Sequence, residues 1–164
     1  MDGTRAHDGG ADDVVVRDAV PADVAALERV LPSGGDHARQ LANAAAGRRT
    51  FLVALHEGVP VGTVVVRWAG VPVTGHGVLP EIGSLAVAPA LRGRGLGGRL
   101  VAAAEERVSA RTGTAAVIHV AVGNAGARRL YARLGYREVG RRRAADEQEL
   151  VLVRDLSAAP RPPR

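Results

Sequence analysis

Anions are held where backbone N–H groups converge and side chains stay out of the way, and residues 92–98 of this chain, Arg-Gly-Arg-Gly-Leu-Gly-Gly, are built for that. An apolar run from Ile82 to Ala88, bounded by Pro80 and Pro89, precedes them and has the character of a buried strand. Apolar residues at Leu96, Leu100, Val101, Ala104 and Val108 follow at helical spacing. A strand, a glycine-dense turn and a helix N-terminus in that order create an anion site, because the first-turn N–H groups are unpaired and the helix dipole is positive there. Three phosphate-binding patterns compete for the loop. Gly93-x-Gly95-x-x-Gly98 has the glycines of a dinucleotide fingerprint, but it starts several residues past its strand, and no Asp or Glu stands at the end of the next strand, near Val122-Gly-Asn124, to hold a ribose. A nucleotide-triphosphatase loop needs a lysine, and all basic residues here are arginine. The third pattern is Arg92-x-x-Gly95-x-Gly97.

A second segment decides between them. Asn124-Ala-Gly-Ala-Arg-Arg-Leu-Tyr-Ala-Arg-Leu-Gly-Tyr136 follows another apolar run, Ala115 to Val122. Asn124 suits an N-cap, Ala127, Leu130, Tyr131 and Leu134 form a helical stripe, and Gly135 suits the left-handed position after a helix. Two such motifs, in this order and separated by one helix and one strand, resemble the GNAT superfamily of acyl-CoA-dependent N-acetyltransferases. The resemblance is carried by residues 81–136.

It implies an α/β fold with a mixed central sheet of about seven strands and four helices, whose central parallel pair splays apart to admit a pantetheine arm. It implies acetyl-CoA as the acyl donor. The backbones of Leu85, Ala86 and Val87 would then pair with the pantetheine, and one N–H there would bond the thioester oxygen. The N–H groups of Arg92, Gly93, Arg94, Gly95, Leu96, Gly97 and Gly98 would hold the pyrophosphate. Asn124 would bond the pantetheine or the thiol region. Tyr131 would lie near the sulfur as general acid, a role its reference pKa of about 10 suits. Glu81 begins the strand, written Glu-Ile-x-x-Leu-Ala-Val, where several family members carry a catalytic glutamate. A carboxylate is a weak base for an ammonium unless desolvated or acting through water, so His119 on the neighbouring strand and His76 in the preceding loop stay as alternatives.

Other chemistries find little support. The five histidines, at 7, 37, 56, 76 and 119, have no metal-ligand spacing, and no metal is expected. There is no cysteine for a disulfide or a thiolate nucleophile, and Ser84 lacks the setting of a nucleophile elbow. These absences favour direct attack in a ternary complex. A net charge of +5 raises nucleic acid as a partner, but the arginines are scattered apart from Arg141–Arg143, and only four aromatic residues are present for stacking. A solvated face or a polyphosphate cofactor accounts for the charge as well. No apolar stretch reaches the roughly 18 residues of a membrane span, and the polar N-terminus lacks a signal-peptide core, so a cytoplasmic location is expected. The expected activity is acetyl transfer from acetyl-CoA to a primary amine of a small molecule. A peptide or protein acceptor, or a cofactor sensor without turnover, are the alternatives, and a homodimer through a sheet edge is expected to be feasible.

The elements must position these groups. Residues 1–12, rich in Gly and Asp, and the tail 157–164 are expected to be disordered around one domain at 13–156. Within it the patterns predict a strand at Val14–Val20, a helix from Pro21 to Leu31, and a break at 32–35. A helix capped by Asp36 follows, then strands at 50–57 and 60–68, and a loop from Ala69 to Leu79. After the central strand, the helix ending at Gly113 and the two motif elements above, a final hairpin spans 136–143 and 149–154.

Overall fold

The computed structural model describes residues 13–32 and 35–157. The disorder expected for 1–12 and for the tail beyond Ser157 lies outside them, as does part of the break at 32–35. Ser157 itself is tied back, its N–H and hydroxyl both donating to Asp155 Oδ1 at 2.8 and 2.5 Å.

The chain runs β1 (Val14–Asp18), α1 (Asp23–Val30), α2 (His37–Ala45), β2 (Arg49–His56), β3 (Val59–Val73) and β4 (Gly77–Val87). It continues through α3 (Leu96–Thr112), β5 (Ala115–Ala121), α4 (Ala125–Arg133), β6 (Arg137–Ala144) and β7 (Glu147–Asp155). Seven strands form one mixed sheet in the order β1-β2-β3-β4-β5-β7-β6, with β4 and β5 as its parallel pair. The expected order and fold class are realised.

Local chemistry explains most boundaries. Glu57 and Gly58 both take positive φ between β2 and β3, the turn that matches the twist of a hairpin. Asp36 caps α2 by accepting from the Arg39 N–H at 2.8 Å. Gly113 ends α3 in the left-handed conformation. Asp23, in the first turn of α1, accepts from the Val20 N–H and from both terminal nitrogens of Arg17, so β1 and α1 are clamped at their junction.

The loop expected at Ala69–Leu79 is instead the far half of a long β3–β4 hairpin, closed by a turn at 74–76. The register shifts between Arg67 and Val71, which absorbs residues that look loop-like in sequence. Gly70 sits there at φ +72°, and a Cβ on it would lie 2.8 Å from Val78 Cγ1 and 2.9 Å from the Leu79 carbonyl oxygen. Beyond the bulge Val73 and Leu79 are buried against Val117 of β5 and Val153 of β7. That burial is the force that keeps the chain extended.

The sheet separates two larger cores. On one face α3 and α4 cover Leu52, Val64, Val66, Ile82, Ile118 and Leu152. On the other, α1 and α2 cover Phe51, Val53 and Val65. Among the described residues no helix is long and apolar enough to cross a membrane.

Candidate active site

The parallel pair is joined at a single register position, Glu81 opposite Val117. Past it β4 stays with β3, and β5 stays with β7 along its whole length, so the two strands diverge. Ser84, at φ +52°, lies in a second bulge, where three steps along β4 (Gly83 to Ala86) oppose two along β3 (Thr63 to Val65). The Leu85–Val87 backbone is therefore paired to β3 on one edge and unpaired to β5 on the other.

On the α3/α4 face the opening continues into a cleft of about 740 Å³. Leu85, Ala86 and Val87 form one wall, Arg92, Gly93, Gly95, Leu96, Gly97 and Gly98 a second, and Asn124 lies at the start of the third, α4. Gly93 and Gly95 take φ of +74° and +81°, so the turn demands glycine there. Gly95 is the N-cap of α3 and no side chain caps that helix, which leaves its first-turn N–H groups pointing to the cleft. A Cβ on Gly97 would come within 3.3 Å of Leu130 Cδ2, so α3 and α4 approach closely at this residue. The sequence-expected loop residues are thus brought together, apart from Arg94, which is exposed and does not line the cleft. Arg129 and Arg133 of α4 do line it, and sequence reading missed them. Their i,i+4 spacing beside the stripe residue Leu130 was the available signal.

Asn124 uses its Oδ1 to accept from the Ala127 N–H at 3.1 Å, capping α4, which leaves its NH2 group for the cleft. Tyr131 lies on the inward side of α4, is 6% exposed, and packs edge-on against Tyr136 at 5.9 Å between centroids. It is not among the residues lining the cleft, although the preceding Leu130 is. Its hydroxyl has no protein partner among the hydrogen bonds of the described residues, yet no buried polar side-chain atom there is left unpaired, so the phenol keeps a path to solvent. Burial pushes its pKa up, keeping it protonated. The Tyr136 hydroxyl, by contrast, donates to Glu105 Oε1 at 2.8 Å and is committed to the core with the Glu105–Arg154 ion pair.

Glu81 marks the point where the strands part, and its side chain belongs to the opposite face. It meets His119 Nδ1 at 2.9 Å and Arg67 at 3.6 Å. Arg67 also donates to Ser84 Oγ at 2.8 Å, and its guanidinium crosses Gly83 so closely that a Cβ there would collide with Nη1. Burial pushes the Glu81 pKa up, but the His119 hydrogen bond and the charges of Arg67, His119 and Arg142 outweigh it and hold the carboxyl below the usual glutamate range. The contact with Glu81 uses the Nδ1 atom of His119 and leaves Nε2 as its other ring nitrogen. His119 borders a small cavity of about 200 Å³ between Val71–Thr74 of the long hairpin and Val139–Arg142. His76 sits exposed in the hairpin turn, five residues from Glu81, or about 16 Å along a strand. Trp68 donates to Thr50 Oγ1 and lies 4.3 Å from the Arg111 guanidinium, a packing position against α3. Among the described residues no cluster of His, Cys, Asp and Glu could hold a metal.

A sheet opened at one parallel pair, with an uncapped glycine-rich helix N-terminus on one face and a hydrogen-bonded carboxylate on the other, has the features to hold an anionic ligand and a basic one close together. Residues 23–136 match the model of the acetyltransferase (GNAT) family, a span that includes all three walls of the cleft, and the chain belongs to that family. Three solved structures illustrate the shared fold. The ribosomal-protein-S18-alanine N-acetyltransferase of Escherichia coli is 19% identical, with 90% of this chain and 96% of that one covered and a TM-score of 0.69. Arabidopsis thaliana NAA60, in complex with acetyl-CoA, is 19% identical over 88% and 99% of the two chains, with a TM-score of 0.70. The yncA protein of Salmonella typhimurium, solved with its cofactor acetyl-CoA, is 21% identical over 92% and 98%, with a TM-score of 0.69. No curated protein sequence shows significant similarity to the chain.

Proposed function

We propose that the protein transfers an acetyl group from acetyl-CoA to the primary amine of a small molecule, with donor and acceptor bound together. The observation that carries this reading is the parting of β4 and β5 at Glu81, with the anion cleft on one face and the Glu81–His119 pair on the other. The cleft suits the donor on its own features: an uncapped helix N-terminus, glycines where backbone must approach, and cations at Arg92, Arg129 and Arg133. When bound, acetyl-CoA supplies the activated acyl group. The free edge of Leu85–Val87 aligns the pantetheine as an added strand and gives an N–H to the carbonyl oxygen as charge develops there. The Asn124 amide steadies the arm. The Tyr131 phenol, kept protonated by burial, donates to the departing thiolate.

Glu81 takes the proton of the incoming ammonium, directly or through water, and returns it to solvent, while the hydrogen bond to His119 holds the carboxylate in place. Holding the two reactants at the ends of one narrow passage accounts for rate without a covalent enzyme intermediate. A small acceptor is favoured over a peptide because the long hairpin borders the Glu81–His119 pair and leaves only about 200 Å³ in the cavity beside His119.

The test is kcat/KM of Glu81→Gln against pH, followed by thiol release. Because the wild-type carboxyl stays ionised below the usual glutamate range, the variant should lose about 100-fold at neutral pH and less as the amine approaches its own pKa near 10. A small loss that is uniform with pH would give the proton to His119 or to water instead. Acetyl-CoA binding without turnover on any amine or peptide would make the protein a sensor.

A further inference from the structure

On the α1/α2 face the cross-strand register lines up Arg49 of β2, Arg67 of β3, Glu81 of β4 and Val117 of β5 as one row. Arg49 and Arg67 are thus direct cross-strand neighbours, about 5 Å apart at Cβ, where two like charges repel. One carboxylate, Glu81, serves this row, and it is already shared by Arg67 and His119. Arg142, the next cation toward Glu81, is paired to Glu149 at 2.7 Å. Arg49 has no acidic partner within ion-pair distance among the described residues. Its hydrogen bond there goes to a neutral group, Gln40 Oε1 of α2, at 2.5 Å.

A half-buried guanidinium beside a second one, with an amide as its partner, is costly to fold around. Partial burial and the neighbouring charges of Arg67 and Arg39 push the Arg49 pKa down, against a smaller pull upward from Glu81, so the site is short of negative charge. An anion would relieve it, and a planar fork of N–H donors matches a carboxylate. Two sheet spacings separate Arg49 from Glu81, about 10 Å at the backbone, and both long side chains shorten that gap.

We infer that the acceptor is an amino acid: its amine lies at Glu81 and its carboxylate is bound by Arg49, with Arg67, which stands between them in the row, adding charge. The inference rests on the transfer reading above and names the acceptor class for the same site. It assigns to Arg49 a specificity role toward a group about one side chain away from the reacting nitrogen. It also explains why an amine-binding site carries an excess of cations: Glu81 and Arg49 each recognise one end of a zwitterion.

Glycine, β-alanine and 4-aminobutyrate, each with its carboxamide, serve as probes at saturating acetyl-CoA, with thiol release as the readout and the wild type and Arg49→Gln compared. The expected result is that at least one acid exceeds its amide by about 10- to 100-fold in kcat/KM, chiefly through KM. Arg49→Gln should erase that preference by lowering kcat/KM for the acid toward that for its amide. Thermal unfolding checks that α2 stays docked. The wild-type acid-to-amide ratio needs no variant, so the inference is exposed to refutation even if Arg49→Gln folds poorly. Turnover of acids and amides at equal kcat/KM would overturn the inference and leave amine acetylation standing. Binding of acetyl-CoA with no turnover of any amine would overturn both.

Discussion

Replacing Gly97 by Asp tests the anion cleft with opposite consequences for ligand and fold. Residue 97 lies in the first turn of α3, where the helix dipole favours a carboxylate by about 0.3–1 kcal/mol. Replacing a helical glycine by aspartate, itself a weak helix former, gains only about a few tenths of a kcal/mol more. Against this, the new Cβ meets Leu130 Cδ2 at 3.3 Å and Leu85 Cδ2 at 3.8 Å, a contact that shifts of a few tenths of an ångström relieve. These effects nearly cancel, and Tm should stay within a few degrees of the wild type. The ligand meets a different situation. A phosphate held by the same N–H groups would stand about 4–5 Å from the new carboxylate. At an effective dielectric near 20 the repulsion is about 3–4 kcal/mol. Acetyl-CoA affinity by calorimetry should therefore fall by 100-fold or more, while Gly97→Ala, with the same Cβ and no charge, should lose far less. The Asp variant's loss should also shrink at high salt. A folded Gly97→Asp protein binding acetyl-CoA within about threefold of the wild type would refute the placement of the pyrophosphate at this helix end.

Two further expectations concern proton-bearing groups. Tyr131→Phe should lower kcat about 100-fold with little change in acetyl-CoA affinity. Since burial raises the Tyr131 pKa, the wild type should show no alkaline loss of rate from this group until above the ordinary tyrosine range, and a loss near neutrality would point to another acid. Asp23 is held below the usual aspartate range, first by its hydrogen bonds from Arg17, with burial opposing and the Val20 N–H and the Arg17 charge assisting. A depressed carboxylate stabilises the fold above its unfolded pKa near 3.9 and loses that contribution as pH falls through its lower folded value. Urea unfolding from pH 7 to pH 3 should therefore show a decline below about pH 4 that Asp23→Asn flattens. The substitution should cost about 1.5–3 kcal/mol at neutral pH, and an unchanged midpoint would show that the β1–α1 clamp is idle.

Elements announced by backbone chemistry were legible in the sequence. Asp36 and Asn124 as caps and Gly113 and Gly135 as stops each act through their own residue and near neighbours, so a linear reading finds them. The cleft wall at Arg92–Gly98, Arg94 apart, was legible for the same reason, whereas Leu85–Val87 were named through the family resemblance. Features that depend on pairing were not. Gly70, Pro72, Gly75, Gly77 and Pro80 carry every local sign of a loop, and only the burial of Val73 and Leu79 on β5 and β7 makes the segment a hairpin. The bulge at Ser84 is a second case, since serine gives no hint of φ +52°. The row Arg49–Arg67–Glu81 exists only once two registers are fixed, and residues 18 and 14 positions apart in sequence carry no periodicity that would join them.

The unread hairpin is also what fixes the place where the sheet opens. β4 is tied to β3 on one side and β5 to β7 on the other, so each half of the sheet is complete without the β4–β5 contact. Nothing in those ladders says where the halves should touch. The far end of the hairpin does, by burying Val73 and Leu79 with Val117 and Val153 just below the Glu81 register point. Above that point the Ser84 bulge turns β4 away, and α3 packs under both halves through Leu100, Val101 and Ala104. The apex is thus held from below by an apolar cluster and kept open above by a bulge. Glu81 stands at that apex on the α1/α2 face, while its strand continues into the cleft on the other. In the proposed reaction the distance between Glu81 and the acyl donor is therefore set by the fold, not by a flexible loop.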